Sequence, residues 1–326
     1  MKKLLIVSVA ATALLAACQD KEPVKKNDAE SAEVKTESAA ADNKAQEQAV
    51  DQLTKGQEMA NILSSTNWQG TKVYDKDNND LTAENANYIG LAKYDVETGH
   101  YEFFDAATEE SRDDKGTFFI TNDGQSRVLI SESKNYQAVV EITELNDNIF
   151  TYKRMGKDKE GNDVEVFVEH VPYNEKDLAF TDADKNLDVT TGDIVKDVDG
   201  DKILAETLWH GTVVLDEAGN DVTEFNTNFI SIAKYDADTN KYEFFNPETG
   251  ESRGDYGYFD VIHGNKIRAH VSIGDNKYGV ALEITELNDQ KFTYKRMGKD
   301  KDGNEVTVFV EHEHYEGEYN PEFTLK

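Results

Sequence analysis

The 326-residue chain has one cysteine, Cys18. No disulfide can form within a single chain, so each folded unit must rest on an ordinary apolar core. Nucleophilic machinery is missing too: there is no second Cys, and no G-x-S-x-G, P-loop or dinucleotide fingerprint occurs. Carboxylates are so abundant that an acidic pair carries no information, and the expectation is a protein that is not an enzyme. Basic charge is scarce, 35 Lys and Arg against 65 Asp and Glu, a formal net charge of −30. Such a surface repels phosphate backbones and anionic lipid heads, which argues against nucleic acid as a partner. It attracts cations, basic peptides and positively charged wall components, and it keeps a protein soluble. Long helical periodicity is absent, and no apolar run reaches the roughly 20 residues of a membrane-spanning helix.

What the chain has is repetition. The stretch ITELNDNIFTYKRMGKDKEGNDVEVFVEH (142–170) returns as ITELNDQKFTYKRMGKDKDGNEVTVFVEH (284–312). A block this long marks a duplicated folding unit. Trp68 aligns with Trp209, Gly70 with Gly211, Tyr94 with Tyr235 and Arg112 with Arg253, and Ile62-Leu63 aligns with Ile203-Leu204. The boundaries expected are repeat one at 60–173, an acidic linker at 174–200, and repeat two with a C-terminal tail at 201–326. Each copy is large enough for its own core.

Within a copy, Gly, Asn and Asp clusters punctuate short runs rich in Val, Ile, Phe, Tyr and Thr, the pattern of an all-β fold. In repeat one it predicts strands near 70–74, 88–94, 100–104, 116–121, 126–131, 137–145, 149–156 and 164–171. Turn chemistry joins them at Glu97-Thr98-Gly99, Asn122-Asp123-Gly124, Asn146-Asp147 and Lys159-Glu160-Gly161-Asn162. Short links favour an antiparallel meander. Eight such strands can close into a barrel and remove exposed edges; the alternative is a two-sheet β-sandwich.

Lys2 and Lys3 precede an apolar run, 4–17, that ends at Leu15-Ala16-Ala17 before Cys18. This resembles a bacterial lipoprotein signal. The resemblance implies a signal peptide at 1–17, a diacylated Cys18 as first mature residue, and a lipid-anchored protein on the outer face of the cell membrane. Losing Lys2 and Lys3 would take the charge from −30 to −32. Residues 18–59 are rich in Lys, Glu, Asp, Ala, Ser and Gln and read as a disordered tether with a short helix near its end. Trp68-Gln69-Gly70-Thr71 and Trp209-His210-Gly211-Thr212 open the first strand of each copy. In this the repeats resemble the lipocalin-like (calycin) group, although the order is Trp-x-Gly rather than Gly-x-Trp. The whole chain also resembles an uncharacterised family of tandem-repeat lipoproteins from Gram-positive bacteria, which brings no function with it.

Alternation places Phe150, Tyr152 and Arg154 on one strand face, Val140, Ile142 and Glu144 on another, and Val164, Val166, Val168 and His170 on a third. With a three-residue turn at Asn146-Asp147-Asn148, Glu144, Arg154 and His170 would meet inside the barrel, and Glu286, Arg296 and His312 would do so in repeat two. The functional reading is a polar cluster orienting a ligand in the barrel mouth. The structural one is a rim ion pair with a hydrogen-bonded His. Adding the inner aromatic residues, the candidate ligand-binding set is Trp68, Glu144, Tyr152, Arg154 and His170, with Trp209, Glu286, Tyr294, Arg296 and His312. No metal site is expected: Glu311-His312-Glu313-His314 presents only two His on one face. Calcium is a candidate only at the linker, where Asp182, Asp184, Asn186, Asp188 and Asp193 approach an EF-hand spacing but Leu187 stands where the turn wants Gly. Glu110-Ser111-Arg112-x-Asp114 and Glu251-Ser252-Arg253-x-Asp255 read as loop ion pairs. The function expected is non-catalytic binding of a small molecule or peptide. The alternative is a surface protein that contacts wall polymer or protein through outer loops.

Overall fold

The structure, a computed structural model, describes residues 53–182 and 193–326. Cys18, the tether before residue 53 and most of the calcium candidate lie outside them. The first copy comprises α1 (Lys55–Ser64), β1 (Asn67–Asp75), β2 (Leu91–Asp95), β3 (His100–Phe104), β4 (Ser111–Ile120), β5 (Ser126–Ser131), β6 (Tyr136–Asn146), β7 (Ile149–Lys157) and β8 (Asp163–Tyr173). The second comprises α2 (Gly200–Ala205), β9 (Trp209–Asp216), β10 (Ile232–Asp236), β11 (Lys241–Phe245), β12 (Ser252–Ile262), β13 (Ile267–Ser272), β14 (Tyr278–Leu287), β15 (Lys291–Lys299) and β16 (Glu305–His314). Each set of eight strands is a closed antiparallel barrel, with β1 closing on β8 and β9 on β16. The meander is thus a barrel and not a sandwich, the up-and-down closure of lipocalin-like folds.

Strand alternation builds the interior. On β7, Phe150 and Tyr152 point inward and are buried, while Lys153 faces out and meets Glu141 of β6 at 2.6 Å. The β6–β7 turn has two residues, Asp147 and Asn148, because Asn146 pairs with Ile149. A bulge at Thr143 then shifts the register between Ile142 and Glu144, so Leu145 pairs with Phe150. The bulge keeps Val140 in phase with the core and turns Glu144 outward, where it is exposed. The same bulge recurs between Ile284 and Glu286.

The floor of each barrel is a tryptophan. Trp68 is fully buried, and its Nε1 donates to Leu63 O of α1 at 2.8 Å; Trp209 donates to Leu204 O of α2 at 3.1 Å. Helix α1 opens on a capping box in which Thr54 and Gln57 exchange side-chain-to-backbone bonds. The helix crosses the β4–β5 hairpin so closely that a Cβ on Gly56 would stand 2.2 Å from Thr121 O.

Both barrels belong to one compact unit, 53–326. The outer faces of Phe119, Val128 and Ile130 pack on those of Ala269 and Val271. This explains why β5 and β13 are buried on both faces, which a solvated strand would not be. The hairpin tip Asn122 reaches into the second copy, donating from Nδ2 to Ala237 O at 2.8 Å and to Asp201 Oδ2 at 3.3 Å. Beside it lies a carboxyl pair, Asp201 and Asp260. Asp201 accepts from Asn240 Nδ2 at 2.7 Å and Val261 N at 2.8 Å. Burial, then the charges of Asp260 and Asp199, raise Asp201; burial holds Asp260 up to about 7.

The described ends of the linker are also packed. Thr181 binds the fully buried Glu102 through N at 2.8 Å and Oγ1 at 2.6 Å, and Thr324 repeats this on Glu243 at 2.6 and 2.8 Å. Each copy therefore carries a Phe-Thr strap beyond Tyr173 or Tyr315, at Phe180-Thr181 and Phe323-Thr324.

Two outcomes follow from the packing. Ala in place of Gly in a helix normally gains about 1 kcal/mol, but here overpacking against the Thr121 backbone should reverse the sign. Gly56→Ala is expected to lose about 1–3 kcal/mol in urea unfolding; a gain would mean that α1 is free to lift from the hairpin. For the carboxyl pair, a folded pKa above the ordinary 3.8 gives stability that is full below pH 4 and lost as pH rises through about 7. Asp260→Asn should therefore unfold later than the parent at pH 8, by more than about 1 kcal/mol, and narrow the gap at pH 5. Parallel pH profiles for the two proteins would contradict this.

Candidate functional site

The interior of the first barrel is not filled. A cavity of about 260 Å³ opens between its strands, with Leu91, Ala92, Phe103, Leu129 and Ala138 as apolar wall. Its polar lining includes Arg112, Asp114, Arg127, Tyr136, Tyr152, Arg154 and His170.

Arg127 on β5 is 2% exposed, and its Nη1 donates to the Tyr94 hydroxyl. Its guanidinium carbon stands 4.4 Å from the centre of the Tyr152 ring and 5.2 Å from that of Phe150. Arg154 lies 4.0 Å over Tyr88. The Nε atoms of both arginines are buried and have no hydrogen-bond partner among the described residues. Asp114, the carboxylate of the cavity, is held by hydroxyls: it accepts from Ser131 Oγ and Tyr136 Oη, each at 2.9 Å, and from Tyr101 Oη at 3.3 Å. Burial first, then the charge of Asp114, raises Tyr136 and keeps it a donor. His170 is pushed down to about 3 by burial and then by Arg127, so it is a neutral ring at any physiological pH.

The structure brings Tyr152, Arg154 and His170 to this cavity and separates the other candidates from it. Trp68 seals the floor through Leu63. Glu144 lies outside, turned there by the Thr143 bulge, so the expected Glu144–Arg154–His170 cluster does not assemble. In the second barrel Trp209 repeats the floor, and Glu286 is likewise turned outward. Tyr294 stacks under Arg268 at 4.4 Å, and Arg296 lies 4.0 Å over Phe229. His312, also pushed down to about 3 by burial, has Nδ1 at 3.2 Å from Phe292 O and from Val310 O.

Strand patterning misses Arg127 and Arg268. It also reads Arg112 and Asp114 as a loop ion pair, whereas both sit on β4, where Arg112 donates to Asn87 O at 3.0 Å and Asp114 takes the hydroxyls. Composition holds a signal that patterning does not. The chain has only six Arg among its 35 basic residues: Arg112, Arg127 and Arg154 in the first copy, Arg253, Arg268 and Arg296 in the second. All three of the first copy line one cavity.

The copies differ at the cavity wall. Leu129 and Ala138 correspond to His270 and Val280. His270 packs edge-on against Tyr242 and Tyr278, with ring centres 5.1 and 5.5 Å away, and its Nε2 is 3.2 Å from Tyr278 Oη. Among the described residues no group of three or more His, Cys, Asp or Glu is arranged to hold a metal ion. The acidic turns are occupied locally: Asp75 accepts from Asp77 N and Asn79 N at 2.9 Å and from Asn79 Nδ2 at 2.8 Å. Asp158, Asp216 and Asp300 repeat this with Asn162, Asn220 and Asn304.

Comparison with known proteins places the repeats. Among solved structures, the chain is similar to bovine odorant binding protein in complex with a selenium-containing odorant, with 19% identity, a TM-score of 0.22, and coverage of 35% of this chain and 78% of that one. It is also similar to a protein with unknown function from the DUF3598 family of Nostoc punctiforme PCC 73102, with 8% identity, a TM-score of 0.21, and coverage of 79% and 99%. At these values neither likeness bears on a ligand. No curated protein matches. The family model described as domain of unknown function (DUF4822) matches twice, at residues 60–180 and 201–323, and each match takes in one barrel with the end of the helix before it. The chain therefore belongs to the DUF4822 family and carries two tandem copies of its domain.

Proposed function

We propose that this chain is an exported, lipid-anchored protein of the outer face of the cell membrane that binds a small organic molecule, without transforming it, inside its first barrel. The observation that carries the reading is the cavity of about 260 Å³ between β2 and β8, with the buried Arg127 and the half-buried Arg154 at its wall. Its volume is near the lower end of small-molecule pockets, about 300–1,000 Å³, so the ligand is compact. Export and anchoring rest on the Lys2-Lys3, apolar run and Cys18 sequence, and a mature charge of −32 suits a soluble body held at a surface.

Native mass spectrometry of the gently purified protein is expected to give excess mass on the wild-type chain. Ala138→Leu, which narrows the cavity, should lose that excess while keeping the same circular dichroism and unfolding midpoint within about 1 kcal/mol. A clean apo mass under several expression conditions would remove the support for a binding barrel. Expressed in a bacterium that processes lipoproteins, the wild type should partition with membranes and Cys18→Ala should not; equal partitioning would argue against the anchor.

A further inference from the structure

The chemical class of the ligand can be narrowed, on the reading that the first barrel binds a small molecule. We infer that the cavity is a site for a compact organic carboxylate. The first argument is the distribution of cations. The protein uses Lys almost everywhere its surface is basic, yet all three Arg of the first copy line this one cavity. Arg differs from Lys in its planar fork of donors, which matches the two oxygens of a carboxylate, and in being always charged.

The second argument is what the guanidinium groups lack. A buried cation is costly unless paired. Arg127 has a neutral hydroxyl from Tyr94 and the faces of aromatic rings in place of a carboxylate. The one carboxylate at hand, Asp114, is already held by Ser131, Tyr101 and Tyr136. His170 is neutral, so the lining has three guanidinium groups to one carboxylate. The guanidinium carbons of Arg127 and Arg154 lie 4.4 and 4.0 Å from the centres of the Tyr152 and Tyr88 rings, contacts that bring no negative charge. Leu91, Phe103 and Leu129 supply an apolar wall for the organic part, which a bare inorganic anion would not need.

The test is a calorimetric titration of the full chain with benzoate and with benzyl alcohol, its neutral counterpart of similar shape. Benzoate should bind saturably at one site, with benzyl alcohol at least about tenfold weaker. Arg154→Gln, at a half-buried position, should weaken benzoate by about tenfold or more, and Arg296→Gln in the second barrel should leave it within about twofold. Arg127→Met should abolish binding. Because that change also alters the core, its unfolding curve is recorded alongside, and Arg154→Gln is the deciding variant. Equal binding of benzyl alcohol and benzoate, or benzoate binding that survives Arg154→Gln, would overturn the carboxylate assignment and leave the pocket itself standing. Binding of neither probe also overturns it. In that case the native mass spectrum decides the broader reading: excess mass keeps a binding barrel, and a clean apo mass removes it.

Discussion

A guanidinium group sealed inside a ring of aromatic side chains sets the terms for each barrel. Arg127 and its counterpart Arg268 are 2% and 1% exposed, and neither has a carboxylate partner among the described ion pairs. Each donates to one tyrosine hydroxyl, Tyr94 or Tyr235, and lies over the faces of Tyr152 and Phe150 or Tyr294 and Phe292. Ring faces carry negative potential, so they offset part of the desolvation cost without an anion. The geometry fixes the rest: both tyrosines must point inward, which sets the faces that β2 and β7 present to the interior, while burial first and Arg127 second keep the neighbouring His170 neutral.

Closure and pairing of the barrels follow from the same inward bias. With the interior occupied by large rings, Trp68 and Trp209 can serve as floors tied to the last turns of short helices. The bulges at Thr143 and Thr285 let a strand of ten or eleven residues keep apolar groups inside past the point where strict alternation fails. Residues that find no room inside, Phe119, Val128 and Ile130, cover a second apolar face, and the other barrel covers that one. Asn122 and Asp201 then lock the contact with polar bonds that a simple flexible linker between the copies would not require.

The fold was legible because strand signals repeat. The predicted runs at 100–104 and 126–131 coincide with β3 and β5, and the others differ by a few residues at their ends. The largest difference is at β4, expected near 116–121 but starting at Ser111; the run near 88–94 loses only its first residues, to the end of the 3-10 turn Ala86–Tyr88 and the link to β2. Part of the site was legible as well: strand parity alone puts Tyr152, Arg154 and His170 on inner faces. Glu144 was misplaced because a bulge leaves no mark in a Thr-Glu-Leu sequence, and one extra residue inverts everything after it. Arg127 escaped because Ser-Arg-Val-Leu-Ile-Ser, with apolar residues on both faces, gives no parity signal when the outer face is covered by a neighbouring barrel.

Near identity of the copies along 142–170 and 284–312 contrasts with their divergence on β5 and β6. The shared strands carry Phe150 and Tyr152 with their equivalents Phe292 and Tyr294, the rings that lie against the buried guanidinium, together with Arg154 and His170 and their equivalents. The changed positions, Leu129 to His270 and Ala138 to Val280, lie on the cavity wall, where the first replaces an apolar side chain by a polar ring and the second adds two methyl groups. His270 is held well below its ordinary pKa by burial and then by Arg268 and Arg296, so it enters as a neutral ring and adds no second buried charge. Its bond to Tyr278 also ties down the hydroxyl that, in the first copy, belongs to Tyr136 at the cavity wall. The second barrel thus keeps the cationic framework and lines it with His270 and Val280 in place of Leu129 and Ala138, so a shared framework does not make the two interiors equivalent.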